Sequence, residues 1–407
     1  MRSKFFMAFA LIFAGLFIQA NARAADKPRA RDLGVPFDGT PGPLNAITDV
    51  PGVAVGFTTL ISGEPPLKVG VGPIRTGVTA ILPRGKSSYA DPVFAGWFRL
   101  NGNGEMTGTT WVEEGGLMSG PVMITNTHSV GVVRDAVIGW LRDRDLLKDG
   151  NYPWALPVVA ETWDGALNDL NGFHVKPEHV YAALDSAKPG PVEEGSVGGG
   201  TGMVCYQFKG GTGTSSRVVE AKFGGYTVGV MVQCNCGGYD ELRVAGVPVG
   251  REIKRINLWS SLKSPTREAA MGSIIIVVAT NAPLLPTQLN RMARRAAIGL
   301  ARTGTTVSDG DGDIFIAFST ANGGVAKDAG YDAPMKLRNA QMVPNDYVDP
   351  LFAATVQATE EAIINAMVAA HDMKTLDGRT LIGLPHDQLR ALLKKYGRLN
   401  AGSSTLP

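Results

Sequence analysis

An uninterrupted apolar run, Ile274–Ala279, stands directly behind Gly272-Ser273 and constrains the fold more than any other segment. Consecutive β-branched residues without alternation describe a short strand buried on both faces. Ser273 then lies at the tip of a core strand, where a hydroxyl is firmly held. Cutting the Gly272-Ser273 bond would make Ser273 a new N-terminus, with a hydroxyl nucleophile and an amine base on one residue. Gly-Ser before a strand is also ordinary turn chemistry, so the dipeptide alone leaves both readings open.

Further strand-like runs occur at Val53–Phe57, Val78–Leu82, Val122–Thr125, Val158–Glu161, Tyr226–Gln233 and Ile314–Ser319. Their β-branched content and Gly, Pro or Asn boundaries predict strands. Helices are predicted over Arg134–Leu147, Thr287–Arg302 and Leu351–Ala370. Leu289, Met292, Ala293, Ala296 and Leu300 fall on one face of the second, and Phe352, Val356, Ile363 and Met367 repeat the pattern in the third. Sheets covered by helices follow, an α/β protein rather than a sandwich of sheets alone or a bundle. The polar stretch Trp259–Met271, with Pro265 inside it, reads as an exposed loop leading to Gly272.

The 407 residues are 44% hydrophobic with a formal net charge of +2, ample for a large core. That balance gives no case for nucleic acid or for a polybasic membrane surface. Fifty-one glycines without a collagen-like period predict tight turns and close backbone approaches. Arg2 and Lys4, the apolar stretch Phe5–Ile18 and the Ala22-Arg23-Ala24 site form a secretory signal peptide over residues 1–24. The mature chain is expected to begin near Ala25, in the periplasm or outside the cell, with no membrane attachment after signal removal.

Cys205, Cys234 and Cys236 are too few for a disulfide scaffold. Cys234 and Cys236 flank Asn235 at a predicted strand end, poor geometry for bridging each other. With no second cysteine pair and no His-Glu-x-x-His helix, no metal and no other cofactor is expected. Ser260-Ser261-Leu262-Lys263 matches a Ser-x-x-Lys motif, but Pro265 opposes the helix that would present it. Gly198–Gly202 lacks the Lys-Ser/Thr of a phosphate loop and reads as a tight strand turn. Asp309–Asp313 (DGDGD) lacks the glycine and closing glutamate of a calcium loop. It reads as clustered carboxylates that could orient and tune a nearby amine, or as a solvated turn.

Eight segments in order carry a more specific signal: Asn101–Gly108, Thr125–Gly131, Val158–Asp169, Gly195–Met203, Val232–Gly237, Gly272–Thr280, Arg291–Gly299 and Gly312–Asn322. Together they resemble the L-aminopeptidase/D-alanine-esterase-amidase family, which includes the β-peptidyl aminopeptidases. The match runs from about Arg29 to the tail Leu393–Asn400. It implies an N-terminal-nucleophile hydrolase, a four-layer αββα sandwich whose precursor cuts itself at Gly272-Ser273. Residues 25–272 and 273–407 would then form one globular domain of two chains, assembled into a homo-oligomer. The resemblance makes Ser273 the nucleophile and Asn235 the side-chain donor to the oxyanion. Glu161 becomes the carboxylate that holds the substrate's free amine.

Two positions depart from the family pattern. Trp163 stands where some members carry a tyrosine as second oxyanion donor, and Asp311 where members usually carry serine, two residues before the acidic Asp313. In the family that serine and carboxylate support the new amine. Asp311 is expected to raise the pKa of Asp313 by like-charge repulsion and to leave activity intact with a shifted pH optimum. His128 is read as a structural turn residue. The expected activity is release of small N-terminal residues from short peptides, amides or esters with a free amine. The segments lean toward the L-aminopeptidase/D-alanine-esterase branch. The alternatives are β-peptide specificity on the same scaffold and an unprocessed periplasmic binding protein that has lost activity.

Overall fold

A computed structural model describes residues 27–144, 146–147, 154–253, 272–327 and 333–400. The signal segment and the Trp259–Met271 loop lie outside the described residues.

Among the described residues the strands are β1 (Ala54–Ser62), β2 (Ile74–Lys86), β3 (Val93–Arg99), β4 (Leu117–Met118), β5 (Val122–Asn126), β6 (Val158–Thr162), β7 (Val204–Cys205), β8 (Phe208–Lys209), β9 (Gly211–Val218), β10 (Thr227–Asn235), β11 (Ser273–Thr280), β12 (Gly312–Ser319), β13 (Met373–Lys374) and β14 (Thr380–Leu381). The two large sheets run β1-β2-β5-β6 and β4-β3-β12-β11-β10-β9, and β7-β8 and β13-β14 form two-stranded pairs. The helices are α1 (Thr109–Gly115), α2 (Val130–Asp143), α3 (Pro177–Ser186), α4 (Val249–Glu252), α5 (Pro286–Arg302), α6 (Asp349–Val368) and α7 (His386–Lys395).

Alternation along the strands divides the core into three layers. Met231, Ile275, Val277, Ile316 and Phe318 face Val55, Ile81, Val122, Ile124 and Val158 between the two sheets. Ala80, Met123 and Val159 turn the other way, against Val133, Val137 and Trp140 of α2 and Val180 and Leu184 of α3. Ile274, Ile276, Val278 and Phe315 pack on α5 and α6 through Leu289, Met292, Ala296, Ala358 and Ile363. The order is helix, sheet, sheet, helix. With both faces of β11 covered, every one of its residues is buried, which explains its continuous apolar run.

Several boundaries differ from the sequence reading. β3 and β9 were not predicted. β9 reads GTGTSSRV, with few strand-forming residues, and is held by its ladder to β10. Gly198–Gly202 is a buried 3-10 turn rather than a strand turn, with Gly198 N–H donating to Thr59 Oγ1 and Gly199 N–H to Thr79 Oγ1. α6 is buried nearly all round, so its apolar face is not its only inward one.

Cys234 and Cys236 do not bridge each other; the β7 end instead brings Cys205, whose state the sequence left open, beside the other two. Cys205 and Cys234 form a disulfide, and all three sulfurs lie within 4.8 Å of one another. Chain spacing did not reveal this cluster because the two bridged cysteines are 29 positions apart in the sequence.

Candidate active site

Strand register builds the site. Asn235 pairs with Ser273 across β10 and β11, and Ser273 pairs with Gly312 across β11 and β12. Side-by-side residues share a face, so Asn235 and Ser273 project into the layer between the sheets. The next row is Cys234, Ile274 and Asp313, which faces the opposite, helix-covered side.

Ser273 Oγ–H donates to its own preceding carbonyl, Gly272 O, at 2.6 Å. Gly312 N–H approaches both oxygens, at 3.1 Å from Ser273 Oγ and 3.2 Å from Gly272 O. Asp311 Oδ1 accepts from Gly272 N–H at 2.6 Å, and its Oδ2 accepts from Ser308 N–H at 2.7 Å. The Gly272-Ser273 peptide is therefore held on both sides. Gly272 has no room for a side chain: a Cβ would lie 2.9 Å from Cys236 Cα and 3.0 Å from Asn235 O. Close approach, more than a special backbone angle, accounts for this glycine.

Asn235 Oδ1 accepts from Val204 N–H at 2.9 Å, which fixes the amide and leaves Nδ2 as the donating end. Glu161 is 3% exposed at the end of β6. Its Oε1 accepts from Glu105 N–H at 3.0 Å and its Oε2 from Thr127 Oγ1–H at 2.5 Å. Burial raises its pKa above the usual carboxylate range, while these two donors pull it back. Gly104 links the two halves, since a Cβ there would lie 3.0 Å from Glu161 Oε1 and 3.2 Å from Gly312 Cα. A cleft of about 310 Å³ opens at this junction, lined among others by Trp97, Arg99, Glu105 and Ile314.

The acidic loop is not the solvated turn that its composition allows. Asp311 and Asp313 are 2% and 1% exposed. Burial, and then the charge of Asp311, carry the Asp313 pKa up to about 7, as like-charge repulsion predicts, although burial is the larger cause. Burial also raises Asp311, against the two amides that it accepts. Neither oxygen of Asp313 has a hydrogen bond of ordinary geometry among the described residues. Because Asp313 faces away from the Ser273 hydroxyl, it cannot take the hydroxyl proton directly.

Trp163 is 38% exposed and lies over Gly165, where a Cβ would come within 2.7 Å of the indole. His128 is exposed on the turn after β5 and stacks on Phe173, as a turn residue would. The site thus gathers Ser273, Asn235, Gly272 and Asp311 tightly, with Glu161 joined through Gly104. Sequence reasoning missed Thr127, Glu105 and Gly312. Two of these act through backbone N–H groups, which leave no side-chain signature. Thr127 lay within a matched segment but carried no charge to single it out.

The sequence profile described as peptidase family S58 matches residues 45–381. The chain belongs to peptidase family S58. Among similar S58 proteins is "Beta-peptidyl aminopeptidase BapA" of Sphingosinicella microcystinivorans, 55% identical over 97% of this chain and 99% of that protein. A second protein of that name, from Sphingosinicella xenopeptidilytica, is 47% identical over 93% of each. The solved L-aminopeptidase D-Ala-esterase/amidase of Ochrobactrum anthropi, described as a variant of the N-terminal-nucleophile hydrolase fold, is 50% identical. It aligns with a TM-score of 0.83 over 92% of this chain and all of that one. The expected fold is therefore the fold found, and this S58 member is a hydrolase of the aminopeptidase type.

Proposed function

We propose that this aminopeptidase is made by self-cleavage at Gly272-Ser273 and uses Ser273 as its N-terminal nucleophile. The observation that carries the reading is the row Asn235, Ser273 and Gly312, with the hydroxyl against the scissile carbonyl. In the precursor, Ser273 Oγ bonds to the Gly272 carbonyl carbon. Gly312 N–H stabilises the oxygen as it becomes negative. The C–N bond then breaks, the hydroxyl proton ends on the released nitrogen, and water hydrolyses the resulting ester. Gly272 leaves as a carboxylate, and Ser273 retains a free amine and hydroxyl.

The mature reaction uses the same geometry. Ser273 Oγ attacks the substrate carbonyl, its α-amine takes the proton, and Asn235 Nδ2 donates to the oxyanion. The amine returns the proton to the leaving nitrogen, and water releases the acyl group. Glu161 binds the substrate's ammonium, a charge-assisted contact that makes a free N-terminus necessary. Asp311, which accepts from the Gly272 amide beside the cut, supports the new amine. Asp313 acts on it through the local field.

N-terminal β-amino acids are the first substrate class, given two similar proteins bearing the β-peptidyl name. Small L-amino acids and D-alanine amides or esters are the second, given the likeness to the Ochrobactrum enzyme. The basic and apolar start of the chain supports export to the periplasm with removal of residues 1–24, and the family resemblance implies assembly of the two-chain unit into a homo-oligomer.

Hydrolysis of β-alanyl and L-alanyl p-nitroanilides tests the reading. Activity on both is expected to vanish when the substrate amine is acetylated and when Ser273 is replaced by Ala. Undiminished cleavage of an acetylated substrate would overturn the role given to Glu161.

A further inference from the structure

Gln233 is 1% exposed between the two sheets, beside Met231, Ile275, Val277 and Ile316. A buried amide costs free energy unless it is paired. Its Nε2 crosses from β10 to the opposite sheet, donating to Thr125 O at 2.9 Å and Thr162 Oγ1 at 2.7 Å. Its Oε1 has no partner among the described residues. An aliphatic side chain would fill this place without that penalty.

The partners lie next to the proposed amine anchor. Thr162 follows Glu161 on β6, while Thr125 stands two residues before Thr127, which donates to Glu161 Oε2. At its other end Gln233 lies two residues before Asn235 on the same strand face. One side chain therefore ties the strand bearing Asn235 to the strands that hold Glu161.

We infer that Gln233 is a positioning residue that sets the span between amine anchor and nucleophile, and so determines whether α- or β-aminoacyl substrates react best. This rests on the proposed role of Glu161. A β-amino acid places one more carbon between its ammonium and its carbonyl, a bond of about 1.5 Å. A misplacement of about 1 Å can cost about a hundredfold in rate. A fixed span between the two groups therefore selects chain length.

The test is the ratio of kcat/KM for β-alanyl against L-alanyl p-nitroanilide, measured on one preparation so that the processed fraction cancels. Gln233→Asn, which shortens the tie, and Thr162→Val, which removes one of its two hydrogen bonds, are expected to change this ratio about tenfold or more. In Gln233→Glu the carboxyl can donate to Thr125 O only while protonated, so its ratio should return toward the native value as pH falls. An unchanged ratio in the folded variants would overturn the inference, because a merely structural role lowers both rates alike. Glu161→Gln separates the underlying reading. If it leaves both substrates unaffected, the anchor assignment fails. If it impairs both while the Gln233 and Thr162 variants keep the native ratio, only the positioning role fails.

Discussion

Asp313 is a buried carboxylic acid whose pKa is pushed up to about 7, so the folded uncut chain binds a proton that the unfolded chain gives up. Its stabilising contribution is complete below the ordinary carboxylate range and is lost as pH rises toward and through 7. In a Ser273→Ala background, which keeps the chain uncut, Asp313→Asn is expected to raise stability at pH 8 by about 1–3 kcal/mol. Near pH 4 it should change little. Denaturant unfolding at the two pH values checks this, and an equal effect at both would contradict it. Gly272→Ala is expected to destabilise the precursor by about 1–3 kcal/mol, since its Cβ would meet Cys236 Cα and Asn235 O. Slower appearance of the cleaved chains on a gel would accompany that loss. Asn235→Ala should lower kcat by about a hundredfold to a thousandfold once Ser273 is free, as loss of an oxyanion donor does. Ser273, Asn235 and Glu161 were legible as chemistry-bearing residues in ordered segments. Gly312 was not, because its contribution is an amide aimed by register.

At the scale of elements, the site is a consequence of three neighbouring strands ending in one row. β11 and β12 are parallel, so a crossover is needed between them, and α5 supplies it. The apolar face of α5 was readable from period alone because one side meets the sheet and the other meets solvent. α6 was readable as a helix but not as a buried one, since Thr355, Thr359, Glu361 and Asn365 are hidden among apolar residues. β9 escaped because ladder pairing, not composition, makes it a strand. Gly312→Ala acts at this scale: its Cβ would lie 2.4 Å from Asn103 O and push the Asn103-Gly104 segment off β12. Weaker substrate binding, read as a raised KM with Ser273 cleavage also slowed, is the expected result.

Across the whole molecule, cleavage before Ser273 would leave two chains joined by the β10–β11 and β3–β12 ladders. A buried ion cluster adds to them. Glu361 on α6 accepts from Arg31 at 2.7 Å, Arg217 at 2.6 Å and Asn45 at 2.6 Å, all on the other side of the cut. Burial opposes its charge, but these partners hold its pKa below the ordinary range. Its contribution is therefore present above that range and lost as pH falls through the depressed value. Glu361→Ala should cost about 3–5 kcal/mol by leaving the Arg217 charge buried and unpaired, measured by denaturant unfolding of the purified protein. The layered architecture followed from the family segments. The cluster did not, since Glu361 lies 144 to 330 positions along the chain from its partners.

Intact mass of the purified protein tests the central claim most directly. Two chains are predicted, one ending at Gly272 and the other beginning at Ser273 with a free amine, while Ser273→Ala remains a single chain. A single uncut wild-type chain that still hydrolyses the alanyl p-nitroanilides would contradict the account.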